Sequence, residues 1–121
     1  MEFNVEVPIY IQVIRDIKKR IVRKQLRPGD KLPSNRELAV LYKVNPNTAA
    51  RIYKEMEAEG YCYTKRGLGT FITEDEMMQK ELRTEMAEDL LAGFMKEMYD
   101  LGFSREEIIT HIKDYSEEEK L

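Results

Sequence analysis

Two short stretches concentrate the side chains able to make directed contacts to a polyanion. The first is Asn45-Pro46-Asn47-Thr48 with Arg51 behind it: small polar groups at a helix start and a guanidinium about one turn on. Asn47 can pair bidentately with adenine, and Thr48 can donate, accept or offer its methyl group to thymine. Arg51 can reach guanine or phosphate, and free backbone N–H groups at the same helix start suit phosphate. Asn45 and Pro46 fit plain helix capping as well as direct contact. The second stretch is Lys65-Arg66-Gly67-Leu68-Gly69-Thr70, two cations beside two glycines and a hydroxyl. It suits an exposed tip lying along a nucleic-acid backbone or entering a minor groove, with Thr70 able to bond phosphate. Turn geometry alone also accounts for Gly67 and Gly69.

These residues need rigid elements to hold them, and the surrounding sequence supplies them. Residues 1–7 alternate as an extended segment, with Phe3, Val5 and Val7 against Asn4 and Glu6. Pro8 opens a helix in which Ile9, Val13, Ile14, Ile17 and Ile21 recur on one face. Lys18, Lys19 and Arg20 fall on its solvated side. Arg27-Pro28-Gly29-Asp30 ends that helix in a turn. Ser34 and Glu37 form a capping box that starts a short helix through about Tyr42, with Leu38 and Leu41 turned inward. The helix begun at Asn45 carries Ala49, Ile52, Tyr53 and Met56 on one face and ends at Gly60. Tyr61 to Thr64 and Thr70 to Thr73 are β-favouring runs on either side of the glycine tip. Helix, turn, helix, strand, turn, strand is the order of a winged helix-turn-helix, whose second helix places its first residues in a major groove.

Beyond the hairpin, a long helix is expected from about Asp75 to Leu101. Met78, Leu82, Met86, Leu90, Leu91, Phe94, Met98 and Leu101 give it a broad apolar stripe. Gly102 fits its C-terminal cap. Ser104 and Glu107 repeat the capping box, and Ile108, Ile109 and Ile112 are expected to be the buried face of a last helix. Ser116 to Leu121 reads as a frayed charged tail. Core packing explains part of the stripe. A dimer seam through Leu82, Met86, Leu90, Phe94, Met98 and Ile109 explains the excess better. The expected fold is therefore mainly α with a small β-hairpin. A winged helix-turn-helix domain occupies residues 1–73, and a short two-helix dimerisation region occupies residues 74–121.

Charge divides at the same place. The whole chain of 121 residues carries a net charge of −3, yet residues 1–73 are at +6 and residues 74–121 at −9. The basic half can approach phosphate and the acidic half must face away from it. Cys62 is the only cysteine, which leaves no intrachain disulfide or cysteine-rich zinc site and fits a small buried hydrophobe better than a redox sensor. The N-terminus lacks the basic start and apolar run of a signal peptide, and no segment reaches the roughly 18 apolar residues of a membrane span. A reduced, cytoplasmic protein with no membrane association follows. His111 is the only histidine and stands by itself next to Ile112. No nucleophile elbow, phosphate loop or His/Cys cluster is present. Neither an enzyme nor a metal or other cofactor is expected. The competing non-catalytic reading is a winged-helix protein-interaction module, which would lack steeply salt-dependent DNA affinity.

Pro8-Ile9-Tyr10-Ile11-Gln12, the run from Gly29 to Ala39 (Gly-Asp-Lys-Leu-Pro-Ser-Asn-Arg-Glu-Leu-Ala), Asn45-Pro46-Asn47-Thr48 and Arg66-Gly67-Leu68-Gly69-Thr70-Phe71 together resemble the GntR family of bacterial transcriptional regulators. The two-helix tail resembles its YtrA-type branch. The resemblance implies that Arg36, in Pro33-Ser34-Asn35-Arg36-Glu37, contacts DNA, with Ser34 able to bond phosphate beside its capping role. It also implies a homodimer that represses genes, often those of an ABC-type transporter, and the two-fold symmetry of such a dimer calls for an inverted-repeat operator of double-stranded DNA. The residues after the hairpin enclose no obvious pocket, so a small-molecule effector, of no class that the sequence specifies, is expected only at the dimer interface.

Overall fold

A computed structural model of the chain describes residues 3 and 5–118. Its elements are α1 (Ile9–Val22), α2 (Asn35–Tyr42), α3 (Pro46–Ala58), β1 (Cys62–Lys65), β2 (Gly69–Ile72), α4 (Glu76–Asp100) and α5 (Arg105–Glu118). The chain forms two compact units, residues 1–83 and 84–121.

In the first unit α1 and α2 both pack against α3, and α3 meets β1. The apolar spacing of each helix explains this: Val13, Ile14, Ile17 and Ile21 of α1, Leu38 and Ala39 of α2, and Ala49, Ile52, Tyr53 and Met56 of α3 are all buried. Cys62 and Ile72 close the same core from the hairpin. Two phenols tie the helices together. Tyr42 donates to Asp16 Oδ2 at 2.6 Å, joining α2 to α1, and Tyr53 donates to the Pro33 carbonyl at 2.6 Å, joining α3 to the chain just before α2. Burial foremost pushes both phenols well above the usual tyrosine range, so they remain donors. Burial works to raise the Asp16 carboxyl too. Hydrogen bonds from Tyr42 and Arg20, with the charges of Arg20 and Lys19, outweigh it and hold the group below its ordinary value.

β1 and β2 pair antiparallel, with Cys62 opposite Ile72 and Lys65 opposite Gly69. The segment Gly29–Leu32 runs along β2. Gly29 N donates to Ile72 O at 3.0 Å, Ile72 N to Asp30 O at 2.8 Å and Leu32 N to Thr70 O at 2.7 Å. The hairpin is thus anchored on both sides of β2 in its own unit. Cys62 is buried and donates to the Tyr53 carbonyl at 3.7 Å, and burial pushes its thiol up to about 12. That thiol is a packing group with almost no thiolate at neutral pH.

Several local expectations need correction. Residues 5–7 form a turn and bend rather than an extended segment, while residues 1, 2 and 4 of that expected segment lie outside the described residues. Ile9, the first residue of α1, is exposed, and the buried face of the helix begins at Val13. Leu41 is 66% exposed; the inward positions of α2 are Leu38 and the adjacent Ala39. Among the described side chains of α5 only Ile108 is buried, and Ile109 and Ile112 stay in solvent. The expected fray from Ser116 does not hold as far as Glu118, where the α5 backbone is still helical; the last three residues lie outside the described set.

In the second unit, α4 continues to Asp100 and a tight turn leads into α5. Phe103 N donates to Met98 O at 3.1 Å, and Gly102 N to Tyr99 O at 2.9 Å, which satisfies the last carbonyls of α4. The Ser104–Glu107 capping box is complete, with Glu107 N on Ser104 Oγ at 3.1 Å and Ser104 N on Glu107 Oε1 at 2.9 Å. Phe103 stands edge-on to His111, their ring centroids 5.0 Å apart.

Candidate nucleic-acid interface

The first turn of α3 is built as its residues require. Asn45 Oδ1 accepts from Asn47 N at 2.7 Å, Pro46 has no N–H, and Ala49 N already donates to Asn45 O at 3.1 Å. One backbone donor of that turn, the Thr48 N–H, is left without a partner among the described residues. The several free N–H groups expected there reduce to this one, since Pro46 has none, the Asn45 side chain takes that of Asn47 and the Asn45 carbonyl that of Ala49. It points out of a helix N-terminus, where the backbone dipole favours an anion. Asn47 is exposed, and Thr48 is half-buried one turn ahead of Ile52.

Arg51 lies on the same exposed side of α3 and is held from two directions. Its Nε donates to Glu55 Oε1 at 3.1 Å, and its guanidinium carbon stands 3.8 Å from the centre of the Tyr10 ring. Tyr10 and Glu55 were not among the site residues that sequence reasoning selected. The i,i+4 spacing of Arg51 and Glu55 signalled one of these contacts; the other joins residues 41 positions apart and had no local signal. Tyr10→Leu should leave α1 folded, because Tyr10 is outside the buried set. It should weaken specific DNA binding by roughly 2- to 5-fold through loss of about 0.5–1 kcal/mol of cation–π orientation. A Tyr10→Leu protein that bound its selected DNA as tightly as wild type, by fluorescence anisotropy, would show that the platform is idle.

At α2, Ser34 Oγ accepts from Glu37 N at 3.1 Å, and Glu37 Oε1 accepts from Ser34 N at 3.0 Å. Hydrogen bonds from Ser34, backbone first, hold the Glu37 carboxyl below its ordinary value. The cap uses a lone pair of the Ser34 hydroxyl and leaves its hydrogen free for a phosphate oxygen. Arg36 is exposed in the first turn and makes no ion pair among the described residues.

The hairpin turn runs Lys65-Arg66-Gly67-Leu68, closed by Leu68 N donating to Lys65 O at 2.9 Å. Gly67 has φ +80° and Gly69 φ +122°, so both glycines are required by backbone geometry. A β-carbon at Gly69 would also come within 2.8 Å of Lys31 Cε. Arg66 is exposed at the turn. Lys65 ends β1, its ammonium 5.7 Å from the Tyr63 ring and 5.6 Å from the Phe71 ring, which stack on each other. The Thr70 hydroxyl lies 3.3 Å from that of Thr64 and is half-buried, so it is partly committed to the hairpin. Glu57 Oε1 accepts from Thr64 N at 3.1 Å, linking hairpin to α3. Leu68, an exposed apolar side chain at the turn, was missed as a feature of the tip.

The residues chosen for a dimer seam divide. Leu82, which belongs to the first unit, is 2% exposed and so is already covered within the single chain, as a core residue is. Its stripe position does not distinguish the two uses. In the second unit Leu90 is 76% exposed, Phe94 and Ile109 are also exposed, and Met86 and Met98 are half-buried. Leu91, Tyr99, Leu101, Ile112 and Tyr115 add to the exposed apolar surface of that unit.

A trihelical core, a hairpin anchored against it and a polar helix start beside two exposed arginines define a winged helix-turn-helix DNA-binding protein. The chain belongs to the GntR family: residues 9–72 match the model of the bacterial regulatory proteins, gntR family. It is 47% identical over 116 residues to the HTH-type transcriptional regulator YhcF of Bacillus subtilis (strain 168), covering 96% of each chain. It is 38% identical over 114 residues to the HTH-type transcriptional repressor YtrA of the same organism, covering 93% of this chain and 88% of that one. Among solved structures, a GntR family transcriptional regulator from Listeria monocytogenes superposes with a TM-score of 0.84 at 40% identity, covering 93% of this chain and 98% of that one. The protein is a DNA-binding transcriptional regulator and not an enzyme. No helix of the described residues is long and apolar enough to cross a membrane.

Proposed function

We propose that the protein is a cytoplasmic homodimeric repressor that reads an inverted-repeat operator. In this reading Asn47, Thr48 and Arg51 of α3 meet base edges, with the Thr48 N–H on a phosphate. Ser34, Arg36, Asn45, Lys65, Arg66, Gly67, Gly69 and Thr70 fix the register on the backbone. The observation that carries it is the first turn of α3, where exposed Asn47, an unpartnered helix-start N–H and a braced Arg51 occur together. The repressor role is supported by the similarity to YtrA, whose name states that role. Genes of an ABC-type transporter, implied by the family resemblance, are the targets of this reading. The dimer is supported by the exposed apolar face of the second unit, and its two-fold axis would space half-sites about 10 bp apart or at a similar geometric interval.

Selection of bound DNA from a random pool gives the operator, and variants then separate the roles. Asn47→Ala and Thr48→Ala should each relax preference at one or two base pairs by about 1–3 kcal/mol. Lys65→Ala should weaken operator and random DNA alike and flatten the dependence of affinity on salt. Equal losses on both DNAs for all three variants would remove base reading from α3.

A further inference from the structure

We propose that a groove in the first unit, between the end of α1, the turn after it and the first two turns of α4, binds a small anion with an apolar body. The groove has a volume of about 470 Å³, which falls within the range of small-molecule sites. Ile21, Val22, Leu26 and Pro28 give it an apolar floor. Lys24, Arg27, Lys80 and Arg83 stand around it, against a single carboxylate, Glu76. None of the four cations is within ion-pair distance of a carboxylate among the described residues, whereas Lys18, Arg20, Arg51 and Lys96 all are. Lys80 and Arg83 are two of only six cations beyond residue 73, in a stretch whose net charge is −9. The lining thus sets four cations against one carboxylate over an apolar surface, while Glu74, Asp75 and Glu81 of the same stretch of chain lie outside it.

DNA phosphate is the competing anion, and the topology argues against it. No candidate DNA-contacting residue lines the groove. The first turns of α4 follow the Ile72 end of β2, while the hairpin turn at Arg66–Leu68 closes the opposite end of the strands. An apolar floor also has no use for a phosphodiester. It does suit the hydrocarbon or ring of a carboxylate, sulfonate or phosphate ester, whose charged end would sit among the four cations. Such a site would give the protein a small-molecule input inside its DNA-binding unit, without a separate ligand domain.

The probe is 2-naphthoate, with its uncharged counterpart 2-naphthamide as control, titrated into the full ¹⁵N-labelled chain. Naphthoate should shift the amides of Val22, Leu26 and Gln79 saturably, and at least 10-fold more tightly than naphthamide. Lys80→Gln/Arg83→Gln replaces two exposed side chains, and an otherwise unchanged amide spectrum verifies its fold. It should lose at least 10-fold in naphthoate affinity, while Lys96→Gln should lose none. Equal binding of the acid and the amide would overturn the anion site, as would shifts confined to the exposed apolar face of residues 84–116. If Lys80→Gln/Arg83→Gln instead lowered DNA affinity and its salt slope with no naphthoate present, the four cations would belong to the DNA interface and the proposal would fall.

Discussion

Phe94→Glu is expected to convert the protein to a monomer and to weaken operator binding by about 10²- to 10⁴-fold, the advantage lost when two linked sites become one. Phe94 and Leu90 are one turn apart on α4, and both are exposed, as are Leu91 on the same helix and Leu101 in the turn after it. Residues 74–121 carry a net charge of −9, so the two-fold seam of the proposed dimer would bring acid against acid. Its attraction must then come from apolar burial, and a new carboxylate at Phe94 would be repeated by symmetry against like charge. Glutamate is a good helix former, so α4 itself should persist by circular dichroism. The same charge balance gives a second signature. Raising salt should tighten the dimer by screening its acidic flanks while loosening the DNA complex by counterion competition. Sedimentation of the wild-type chain as a monomer at micromolar concentration would end the dimer reading, and an unaltered Phe94→Glu dimer would move the seam elsewhere.

The DNA-binding half was legible because its signals are local and redundant. The box at Ser34 and Glu37, the cap at Asn45 with Pro46, and the two glycines of the tip each specify a backbone shape within a few residues, and each is found as expected. Burial was harder to read where an element is short or has two possible partners. The eight residues of α2 give only two turns, too few to decide between Leu41 and Ala39 as the second inward position. On α4 the apolar residues spaced by four do not share one environment, since Leu82 is buried while Leu90 is exposed. Hydrophobic periodicity identifies a face and says nothing of which neighbour covers it. Contacts across long separations, such as Tyr10 with Arg51 and Tyr42 with Asp16, leave no pattern in a single sequence. The basic groove escaped for the same reason, since its cations come from two segments more than fifty residues apart in the chain, Lys24 and Arg27 against Lys80 and Arg83.

Ile52→Ala should have the largest effect on stability while leaving specificity in place. Ile52 is 0% exposed at the centre of α3, the helix against which both α1 and α2 pack. Truncating a buried isoleucine removes its transfer free energy and leaves a cavity that neighbours refill only partly, a cost of about 2–5 kcal/mol. Small domains hold roughly 5–15 kcal/mol in total, so the variant keeps a folded state with a thin margin. Native-state hydrogen exchange at the amides of Ala49 to Met56 is the measurement of choice, because it reports on α3 without requiring that both units unfold together. Protection there should fall by that amount, and Ile52→Val should lose only about 0.5–1.5 kcal/mol. Asn47 and Arg51 lie off the buried face of α3, so molecules that remain folded should keep the wild-type preference among operator variants. Arg51→Ala should do the reverse, altering preference with protection unchanged. If Ile52→Ala shifted base preference as strongly as Arg51→Ala, the division of α3 into a packed face and a reading face would be wrong.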